Sequence, residues 1–331
     1  MSERTDGAIL LRFIYQAMRN AGLPAENILF KAGVGLTQVD GKARTPSHAQ
    51  IAFWQSVESF SDDPHIGLHL GEYLPLYRGQ VLEYLFLSSS NFGEGLKRVM
   101  AYQRLISDML QAALVHNEDE CYFVNMVAGT TLRHTAECLM VGVLRFFRFV
   151  SEGQFQPVMI EFMHENGASP EEYERVYGCP VLLGAPENRL HFNPEVLDYP
   201  IWQAEPELVR FHEQLAHEKL QELARFDLVA EVRRAIGETL ESGETSLETV
   251  AKRLNVPPRR LRSQLTDAGT SFNQVLADYR CRLAKRLLAQ TAESIEQIVY
   301  LTGFSEPSTF YRAFKRWTDM TPIEYRKKKQ A

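Results

Sequence analysis

Arginine, serine and threonine side chains recur on one face of two short helical segments near the C-terminus of this 331-residue chain. An arginine guanidinium can donate two parallel hydrogen bonds to O6 and N7 of guanine, and a serine or threonine hydroxyl can bond a base or a phosphate. The pattern therefore predicts a surface that reads base edges in double-stranded DNA. The side chains of this surface would be Arg259, Arg262, Ser263 and Thr266 in the first segment, and Pro307, Ser308, Thr309, Tyr311 and Arg312 in the second.

The charge of the chain favours a polyanionic partner for this part alone. From Ser246 onward there are 16 Lys and Arg against 8 Asp and Glu, although the whole chain has a formal net charge of −6. A basic block on an acidic body is typical of a nucleic-acid-binding region. Phosphate contacts position a protein without reading sequence. The candidates for such contacts are Arg260, Lys285, Arg286, Lys315, Arg316 and Lys327–Lys329.

The two segments belong to an internal duplication. The sequence SLETV at 246–250 recurs as SIEQI at 294–298. Each copy predicts a capped helix, a tight turn and a second helix. The two helix–turn–helix units would span 247–268 and 294–317.

Helix starts and turns can be identified in both copies. Asn255 and Gly303 occupy the turns, where a residue that tolerates positive φ is needed. In a capping box, the first and last side chains of the box satisfy free backbone N–H groups, and proline suits the first helical position. The predicted boxes are Thr245 with Glu248, Ser271 with Gln274, Ser294 with Gln297, and Thr321 with Glu324 around Pro322.

The apolar spacing assigns an interior to each copy. Two helices joined in this way cross at a large angle and expose one face of the second helix, which fits a major groove about 12 Å wide. The alternative is an all-helical interaction domain with solvated faces. A connecting helix would contribute Val275, Tyr279, Leu283 and Leu287. The residues predicted to be buried are Leu247, Val250, Ala251, Leu254, Val256, Leu261 and Leu265, then Ile295, Ile298, Val299, Leu301, Phe304, Phe310 and Phe314.

The first 200 residues predict an α+β region with a small antiparallel sheet, because helical periodicity alternates with short period-two runs. The predicted helices span 6–21, 46–60, 64–72, 93–110, 133–150 and 170–177. The predicted strands span 112–116, 121–127, 157–163, 180–183 and 189–192, with a turn at Asn117-Glu118-Asp119. Two more helices, 206–224 and 227–241, would follow, the second ending at Gly243. Leu208, Phe211, Leu215 and Leu223 would form the apolar side of the first.

Composition argues against a secreted, fibrous or membrane protein. The hydrophobic share of 45% and the charged share of 24% are those of a soluble globular protein. The first residues are acidic where a secretion signal would be basic. The most apolar segment, 138–150, contains Arg145 and Arg148 and is too short to span a bilayer. The four cysteines are too widely spaced for a zinc knuckle or a redox dithiol. We expect a cytoplasmic protein without metal or cofactor.

Histidines raise two weaker hypotheses. His65 and His69 lie four residues apart, which suits a metal, but the acid that accompanies this spacing in metalloproteases and a third ligand are missing. A capped, half-buried helix is the favoured interpretation. His164 and His191 flank strands, where a histidine usually hydrogen-bonds to backbone, and a sensing role is the alternative.

An aromatic run raises a third hypothesis. Phe146, Phe147 and Phe149, with Arg145 and Arg148, could line an apolar pocket with a cationic anchor for a carboxylate. The favoured interpretation is that these are core aromatics beside solvated arginines.

At its C-terminal end the sequence resembles the AraC/XylS family of transcription regulators. The resemblance covers about residues 227–328 and is most specific over GFSEPSTFYRAFKRW at 303–317 and TPIEYR at 321–326. Residues 8–200 resemble the long, arabinose-binding-domain-like effector domain of one branch of this family. The resemblance implies that two helices enter successive major-groove segments, roughly 34 Å apart.

The resemblance also implies domain boundaries and partners. Residues 1–204 would be an effector-binding or dimerisation domain, 205–226 a helical connector, and 227–331 the DNA-binding domain. The partners would be double-stranded DNA, a small-molecule effector, RNA polymerase and a second copy of the chain. Members of the family are more often activators than repressors.

Three positions depart from the family pattern. Pro257 replaces the usual serine-type cap of the first unit's second helix, Val299 stands where a small alanine is common, and Asp319 where a glycine is common. Because of the first departure, the resemblance does not define how helix 258–267 begins.

Two other functions fit part of the pattern. An architectural or constitutive DNA-binding protein would share the basic helices without selecting a site. DNA alkyl-transfer repair enzymes carry similar helix pairs beside a reactive cysteine in a Pro-Cys-His-Arg type motif and a four-cysteine zinc site. Here Cys179 is followed by Pro180 and Val181, and the cysteines do not cluster.

Overall fold

A computed structural model describes residues 5–40, 44–47, 49–117, 121–127, 132–240 and 245–330. Its internal contacts divide the chain between Leu220 and Gln221 into an N-terminal unit and a C-terminal unit. The predicted turn residues Glu118 and Asp119 and the predicted helix end at Gly243 lie outside the described residues.

The helices of the N-terminal unit occur where amphipathic spacing or a cap defines them. Asn91 caps α7 and Ser169 caps α9, each by accepting a hydrogen bond from the backbone N–H three residues on. Short 3-10 helices lie at Gln103–Leu105 and Pro194–Asp198. The α-helices are α1 (Ala8–Asn20), α2 (Ala25–Lys31), α3 (Leu36–Asp40), α4 (Ala49–Ser61), α5 (Ile66–Glu72), α6 (Val81–Leu87), α7 (Phe92–Ala101), α8 (Arg133–Val150) and α9 (Pro170–Tyr177).

The main sheet of this unit has five strands in the order β3-β4-β7-β5-β6. These strands are β3 (Leu110–His116), β4 (Cys121–Val127), β5 (Pro157–Phe162), β6 (Val181–Leu183) and β7 (Arg189–Phe192). All neighbours are antiparallel except β5 and β6, which run parallel because α9 crosses over between them. A separate pair, β1 (Thr5–Asp6) and β2 (Thr45–Pro46), is antiparallel.

Helix α8 is central to the N-terminal core. Its residues Ala136, Met140 and Leu144 follow a four-residue spacing and belong to the same buried cluster as the sheet residues Phe123 and Ile160. The predicted helix 133–150 and the predicted strand pair 112–116 and 121–127 are therefore confirmed.

Helix α5 approaches α8 unusually closely through two glycines. A Cβ atom at Gly67 would lie 2.3 Å from the Cα atom of His134, and one at Gly71 would lie 2.7 Å from the Cβ atom of Val141. Any larger residue would therefore separate the two helices.

The predicted long helix over 93–110 is wrong in its second half. Helix α7 ends at Ala101, and β3 already begins at Leu110. The side chain of Gln103 accepts a hydrogen bond from the N–H of Ala112 at 2.6 Å and donates one to its carbonyl at 3.3 Å. This side chain therefore occupies an edge position beside β3. The sequence also missed α2, α3 and α6, which are too short to show a clear period.

The C-terminal unit is helical. Where the sequence predicts two helices, 206–224 and 227–241, the structure has one helix, α10 (Pro206–Leu240), which spans the division between the two units. The predicted break falls in ARFD at 224–227, which contains neither glycine nor proline. Leu208 and Phe211, predicted to lie on the apolar side of the first of these helices, are exposed. The remaining helices are α11 (Leu247–Arg253), α12 (Pro258–Asp267), α13 (Phe272–Gln290), α14 (Ile295–Leu301), α15 (Pro307–Thr318) and α16 (Pro322–Gln330).

We expect Gly67→Ala to lower the free energy of unfolding by about 3 kcal/mol, because the added methyl group meets the backbone of α8. The matched control is Gly142→Ala in α8, where the new Cβ atom meets only a flexible leucine methyl of Leu74 at 3.3 Å. Helix propensity should make that variant neutral or slightly stabilised. Urea denaturation followed by circular dichroism measures both. Equal losses in the two variants would contradict the close α5–α8 contact.

Candidate nucleic-acid interface

The first helix–turn–helix unit consists of α11 and α12. Ser246 caps α11, its Oγ accepting a hydrogen bond from the N–H of Thr249 at 3.1 Å. The predicted cap at Thr245 is therefore wrong by one residue, and the Oγ1 atom of Thr245 is buried without a hydrogen-bond partner among the described residues. Asn255 adopts a φ of 56°, as the turn requires. Pro257 precedes α12 without a side-chain cap.

The second helix–turn–helix unit consists of α14 and α15. Ser294 caps α14, its Oγ accepting a hydrogen bond from the N–H of Gln297 at 3.1 Å, as predicted. Gly303 forms the turn with a φ of 72°. Asp319 ends α15 in the left-handed conformation with a φ of 58°, which explains why glycine is common at this position in the family.

Helices α13 and α16 begin at the predicted caps. The Oγ of Ser271 accepts a hydrogen bond from the N–H of Gln274 at 3.3 Å. Thr321 and Glu324 form a reciprocal capping box, with the N–H of Thr321 donating to Glu324 at 2.7 Å and the N–H of Glu324 donating to Thr321 at 3.3 Å. The hydrogen bond from the Thr321 backbone, and after it one from the Thr321 side chain, lower the pKa of the Glu324 carboxyl. Both helix starts were correctly predicted.

Each unit has its own hydrophobic cluster. The first is built around Leu261 and Leu265, and the second around Phe310 and Phe314, all four of which are fully buried. The other residues predicted to be interior are buried or half-buried, with one exception. Leu301 is 40% exposed, because the next residue, Thr302, is buried in its place and its hydroxyl donates to the carbonyl of Ile298.

The predicted base-reading surface is exposed on α12 and α15. Tyr311 is the exception, since it is half-buried and its ring packs edge-on against Phe310. Among the phosphate candidates, Lys285 is half-buried and the others are exposed. The exposed members of the base-reading surface are Arg259, Arg262, Ser263, Thr266, Pro307, Ser308, Thr309 and Arg312.

The cations on this surface have no ion-pair partner among the residues that the structure describes. Arg259, Arg260 and Arg262 make no salt bridge there, and Arg312 has only a long hydrogen bond, 3.4 Å, to the carbonyl of Ser308. The hydroxyl of Thr266 donates back to the carbonyl of Arg262 at 3.0 Å. The positive charges are therefore not neutralised by the protein and are available to an anionic ligand.

Arg280 supports the second helix–turn–helix unit, and the sequence reasoning missed it. Its Nη2 atom donates to the carbonyl of Gly303 at 2.7 Å, and its guanidinium lies over the ring of Phe304 at 4.7 Å. Burial lowers the pKa of this arginine. The available signal was a charge in the row Leu276, Arg280, Ala284, Leu288, which is otherwise apolar. Arg280 thus joins α13 to the turn of the second unit.

The metal hypothesis for His65 and His69 is not supported by their contacts. The Nδ1 atom of His69 lies 2.6 Å from Asp63, and its Nε2 atom lies 2.9 Å from Glu172. Burial lowers the pKa of His69, but these two carboxylates outweigh it and raise the pKa overall. Nδ1 of His65 contacts the guanidinium of Arg133. The rings therefore tie α5 to its neighbours.

The other two histidines make local contacts. Nδ1 of His164 lies 3.0 Å from the carbonyl of Asn166, and burial lowers the pKa of His164. Nε2 of His191 lies 3.3 Å from Glu161. The backbone contact of His164 agrees with the favoured interpretation, and a sensing role stays a hypothesis.

The aromatic hypothesis is half correct. Phe146 and Phe147 line an apolar cavity of about 260 Å³ in the N-terminal unit. The two arginines do not line it, because Arg145 donates to the carbonyl of Glu72 at 2.6 Å and Arg148 donates to the carbonyl of Tyr177 at 2.7 Å. The cavity thus lacks the predicted cationic anchor.

Within the described ranges, no helix is both long enough and apolar enough to cross a membrane.

Two family descriptions match the chain. The Arabinose-binding domain of AraC transcription regulator, N-term, matches residues 22–201, and the Helix-turn-helix domain matches residues 250–328. The first match alone covers more than half of the chain. The chain belongs to the AraC family of transcription regulators. It is a DNA-binding regulator with an effector-binding N-terminal domain, and its α+β fold followed by an all-α pair of helix–turn–helix units is the predicted one.

The chain is also similar to individual proteins over much of its length. The chain is 30% identical over 276 residues to the Ornithine utilization regulator of Pseudomonas aeruginosa, covering 82% of this chain and 81% of that protein. It is 28% identical over 193 residues to the HTH-type transcriptional regulator VirS of Mycobacterium tuberculosis, covering 57% and 56%. The solved structure of the transcriptional regulator CdpR from Pseudomonas aeruginosa matches 91% of this chain and 96% of that one, with 22% identity and a TM-score of 0.43. All three proteins are named as regulators, and two of them as transcriptional regulators.

We expect Gly303→Ala to destabilise the C-terminal unit by about 2–5 kcal/mol. Alanine at position 303 would be strained at a φ of 72°. Its Cβ atom would also lie 2.2 Å from a methyl carbon of Leu240. Gly269→Ala is the matched control, since it has a φ of 74° with no atom within 4 Å and carries only the strain of about 1–2 kcal/mol. Hydrogen exchange of peptides from α14 and α15 measures the difference. Equal protection in the two variants would show that Leu240 does not pack on this turn.

Proposed function

We propose that the protein is an effector-responsive activator that selects one DNA site with α12 and α15 and recruits RNA polymerase there. The observation that carries the proposal is a set of exposed arginines that have no ion-pair partner among the described residues, on helices whose opposite faces are fully buried. The boundaries we propose are 1–204 for the effector domain, 205–226 for the connector and 227–331 for the DNA-binding domain. The division of contacts at Leu220 falls within that connector. Activation rather than repression is proposed from the family resemblance.

We assign base reading to the exposed tips of the two helices. Arg262 and Arg312 are the best candidates for bidentate contact with guanine, because each is exposed and no carboxylate in the described part of the chain holds it. Arg259, Ser263, Thr266, Ser308 and Thr309 would supply neighbouring base or phosphate contacts. Tyr311 is the weakest candidate, because its ring is partly used in the core.

We assign phosphate contacts to cations at the ends of this surface. They are Arg260, Lys285, Arg286, Lys315, Arg316 and Lys327–Lys329. Cations that neutralise phosphates release counterions, so DNA affinity would fall steeply as salt rises.

We expect Arg262→Ala and Arg312→Ala each to weaken binding at the selected site by about 1–3 kcal/mol, and to relax the preference for one base pair. The site is first selected from random DNA, and the affinity is then measured by fluorescence anisotropy on that site, on single-base variants and on random DNA.

Arg260→Ala is the matched control, since it removes an arginine from the same helix at a proposed phosphate position. Its loss should be similar on every sequence, with a shallower salt dependence. If Arg262→Ala and Arg312→Ala also weaken all sequences equally, these arginines touch phosphate alone. If the intact protein shows no preference for any site, the architectural function is correct instead.

The effector would act by shifting the balance between binding-competent and incompetent states of the DNA-binding unit. A coupling of about 1–3 kcal/mol is typical and changes the affinity for DNA by roughly five- to 150-fold. We propose neither arabinose, which appears in the description of the matching N-terminal domain, nor ornithine, which appears in the name of one relative, as this effector. Both are strongly polar, and the N-terminal cavity is apolar.

We also propose that the chain forms a homodimer through the first half of α10. Leu208, Phe211 and Leu215 lie at the i, i+3, i+7 spacing of a helix-pairing seam, and the first two are exposed. A paired twin would bury them.

We expect Leu208→Glu with Phe211→Glu to convert a dimer into a monomer, because a charge at the centre of an apolar seam loses its solvation. Sedimentation equilibrium measures the mass. The control is Glu207→Ala with Arg210→Ala, which alters exposed polar neighbours on the same helix and should leave the dimer intact. A monomeric intact chain, or a double glutamate variant that stays dimeric, would contradict this seam.

A repair-enzyme function is disfavoured by the state of the thiols. Burial raises the pKa of Cys179 to about 11 and that of Cys138 to about 12, and it also raises the pKa of Cys121 and Cys281. A protonated, buried thiol is a poor nucleophile. These reduced cysteines and the DNA partner both fit the cytoplasm, where we place the protein.

A further inference from the structure

We propose that the apolar cavity of the N-terminal unit binds a neutral, predominantly hydrophobic small molecule with a single polar group. We further identify this ligand with the effector. That step rests on the proposed function, whereas the binding itself rests on the cavity alone. The cavity lies among α1, α4, α6, α7, α8 and β3 and has a volume of about 260 Å³. That is slightly below the usual range of about 300–1,000 Å³ for ligand sites, so the ligand is small.

One face of α8 forms the floor of the cavity. Thr135, Leu139, Gly142 and Phe146 lie along this face at spacings of four, three and four residues. Gly142 has no side chain and so leaves space in the cavity. The one atom within 4 Å of its ideal Cβ position is a methyl carbon of Leu74 at 3.3 Å. The opposite face of α8 packs into the main core. The helix thus has one face built for packing and one that borders the cavity.

The polar groups at the edge of the cavity mostly satisfy each other. Asp6 accepts hydrogen bonds from Ser107 at 2.5 Å and from Gln50 at 2.7 Å, and Gln50 accepts one from Thr135 at 3.1 Å. A sugar would bring hydroxyls that find few free partners here, and each unpaired polar group is costly to bury. A ligand with many polar groups is therefore disfavoured.

One polar atom on the lining is available. The Oγ1 atom of Thr45 is buried and has no hydrogen-bond partner among the described residues. Because a buried hydroxyl is usually satisfied, this atom points to one hydrogen bond with the ligand. A hydroxyl, amide or amine on an otherwise apolar molecule would make it.

The charge of the lining excludes anions. In the part of the chain that the structure describes, Asp6 is the one charged residue on the lining, and it is buried. A carboxylate or sulfonate would leave water without gaining a cation and would be repelled by Asp6. Of two ligands with the same shape, the neutral one should therefore bind more tightly than the anionic one.

The test uses two fluorescent probes of nearly the same shape on the intact chain. N-phenyl-1-naphthylamine is neutral, and 1-anilinonaphthalene-8-sulfonate is its sulfonated anion. We expect the neutral probe to bind saturably with one site per chain and at least tenfold more tightly than the anion. At pH 7.5, 1-decanol should displace the neutral probe, whereas decanoate and D-glucose should not.

Two variants locate the binding. Val143→Trp fills the cavity beside Gly142 and should weaken the neutral probe at least tenfold, whereas Leu182→Trp, on exposed β6 outside the cavity, should not. Thr45→Val keeps the side-chain shape, removes the free hydroxyl and should weaken 1-decanol about threefold to tenfold. Thr45→Val also tests the site if Val143→Trp does not fold, as judged by circular dichroism.

Equal or tighter binding of the anion, displacement by glucose, or equal binding in Val143→Trp and Leu182→Trp would each overturn this inference. DNA affinity is measured separately with and without 1-decanol. Cavity binding without any change in DNA affinity would support the cavity inference and overturn the effector coupling proposed above. Intact site-selective DNA binding with no probe binding would leave the regulator function standing and overturn this inference.

Discussion

Each second helix of the two helix–turn–helix units is anchored by two fully buried side chains one helical turn apart, and the DNA-facing surface depends on this anchoring. Leu261 and Leu265 hold α12, and Phe310 and Phe314 hold α15. Side chains four residues apart share one face of a helix, so burying this pair commits the opposite face to solvent. The exposed arginines are the consequence of where the apolar anchors lie.

The two units of the chain use arginine differently. In the N-terminal unit, arginines are mostly held by carboxylates, such as Arg133 by Glu137 and Arg175 by Glu72 and Glu172. On α12 and α15 the arginines have no such partner in the described ranges. An arginine held by a carboxylate contributes to the fold, whereas one without a partner is free to bind phosphate or base. The same residue type therefore indicates different roles through its contacts.

The two helix–turn–helix units could be predicted well from the sequence, because the residues that begin each helix and form each turn act over a short stretch of chain. The caps at Ser271, Ser294 and Thr321 and the positive φ at Asn255 and Gly303 each depend on a few neighbouring residues. The errors at Thr245 and Leu301 are shifts of one position, where two adjacent residues could each fill the role. The first and last residues of a helix can usually be assigned only to within one or two positions.

What the sequence could not predict depends on tertiary contacts. The early end of the helix predicted over 93–110 follows from the contact of Gln103 with Ala112, and the single helix α10 replaces a predicted break that had no glycine or proline. The cavity was suggested by Phe146 and Phe147, but its other walls come from helices far apart in the chain. Arg280 could be seen as a charge in an apolar row, yet its partner Gly303 lies 23 residues away.

The separate hydrophobic clusters of the two helix–turn–helix units have a consequence for how the family diverges. The buried cluster of each helix–turn–helix unit is separate from that of the other. Substitutions that change the exposed surface of α12 therefore need not disturb the packing of α15, and the reverse also holds. The contacts of Gly303 with Leu240 and Arg280 connect the two halves, so selection would act most strictly at this junction. If α12 and α15 read DNA as proposed, one half of the bound site could change its sequence while the other half is still recognised.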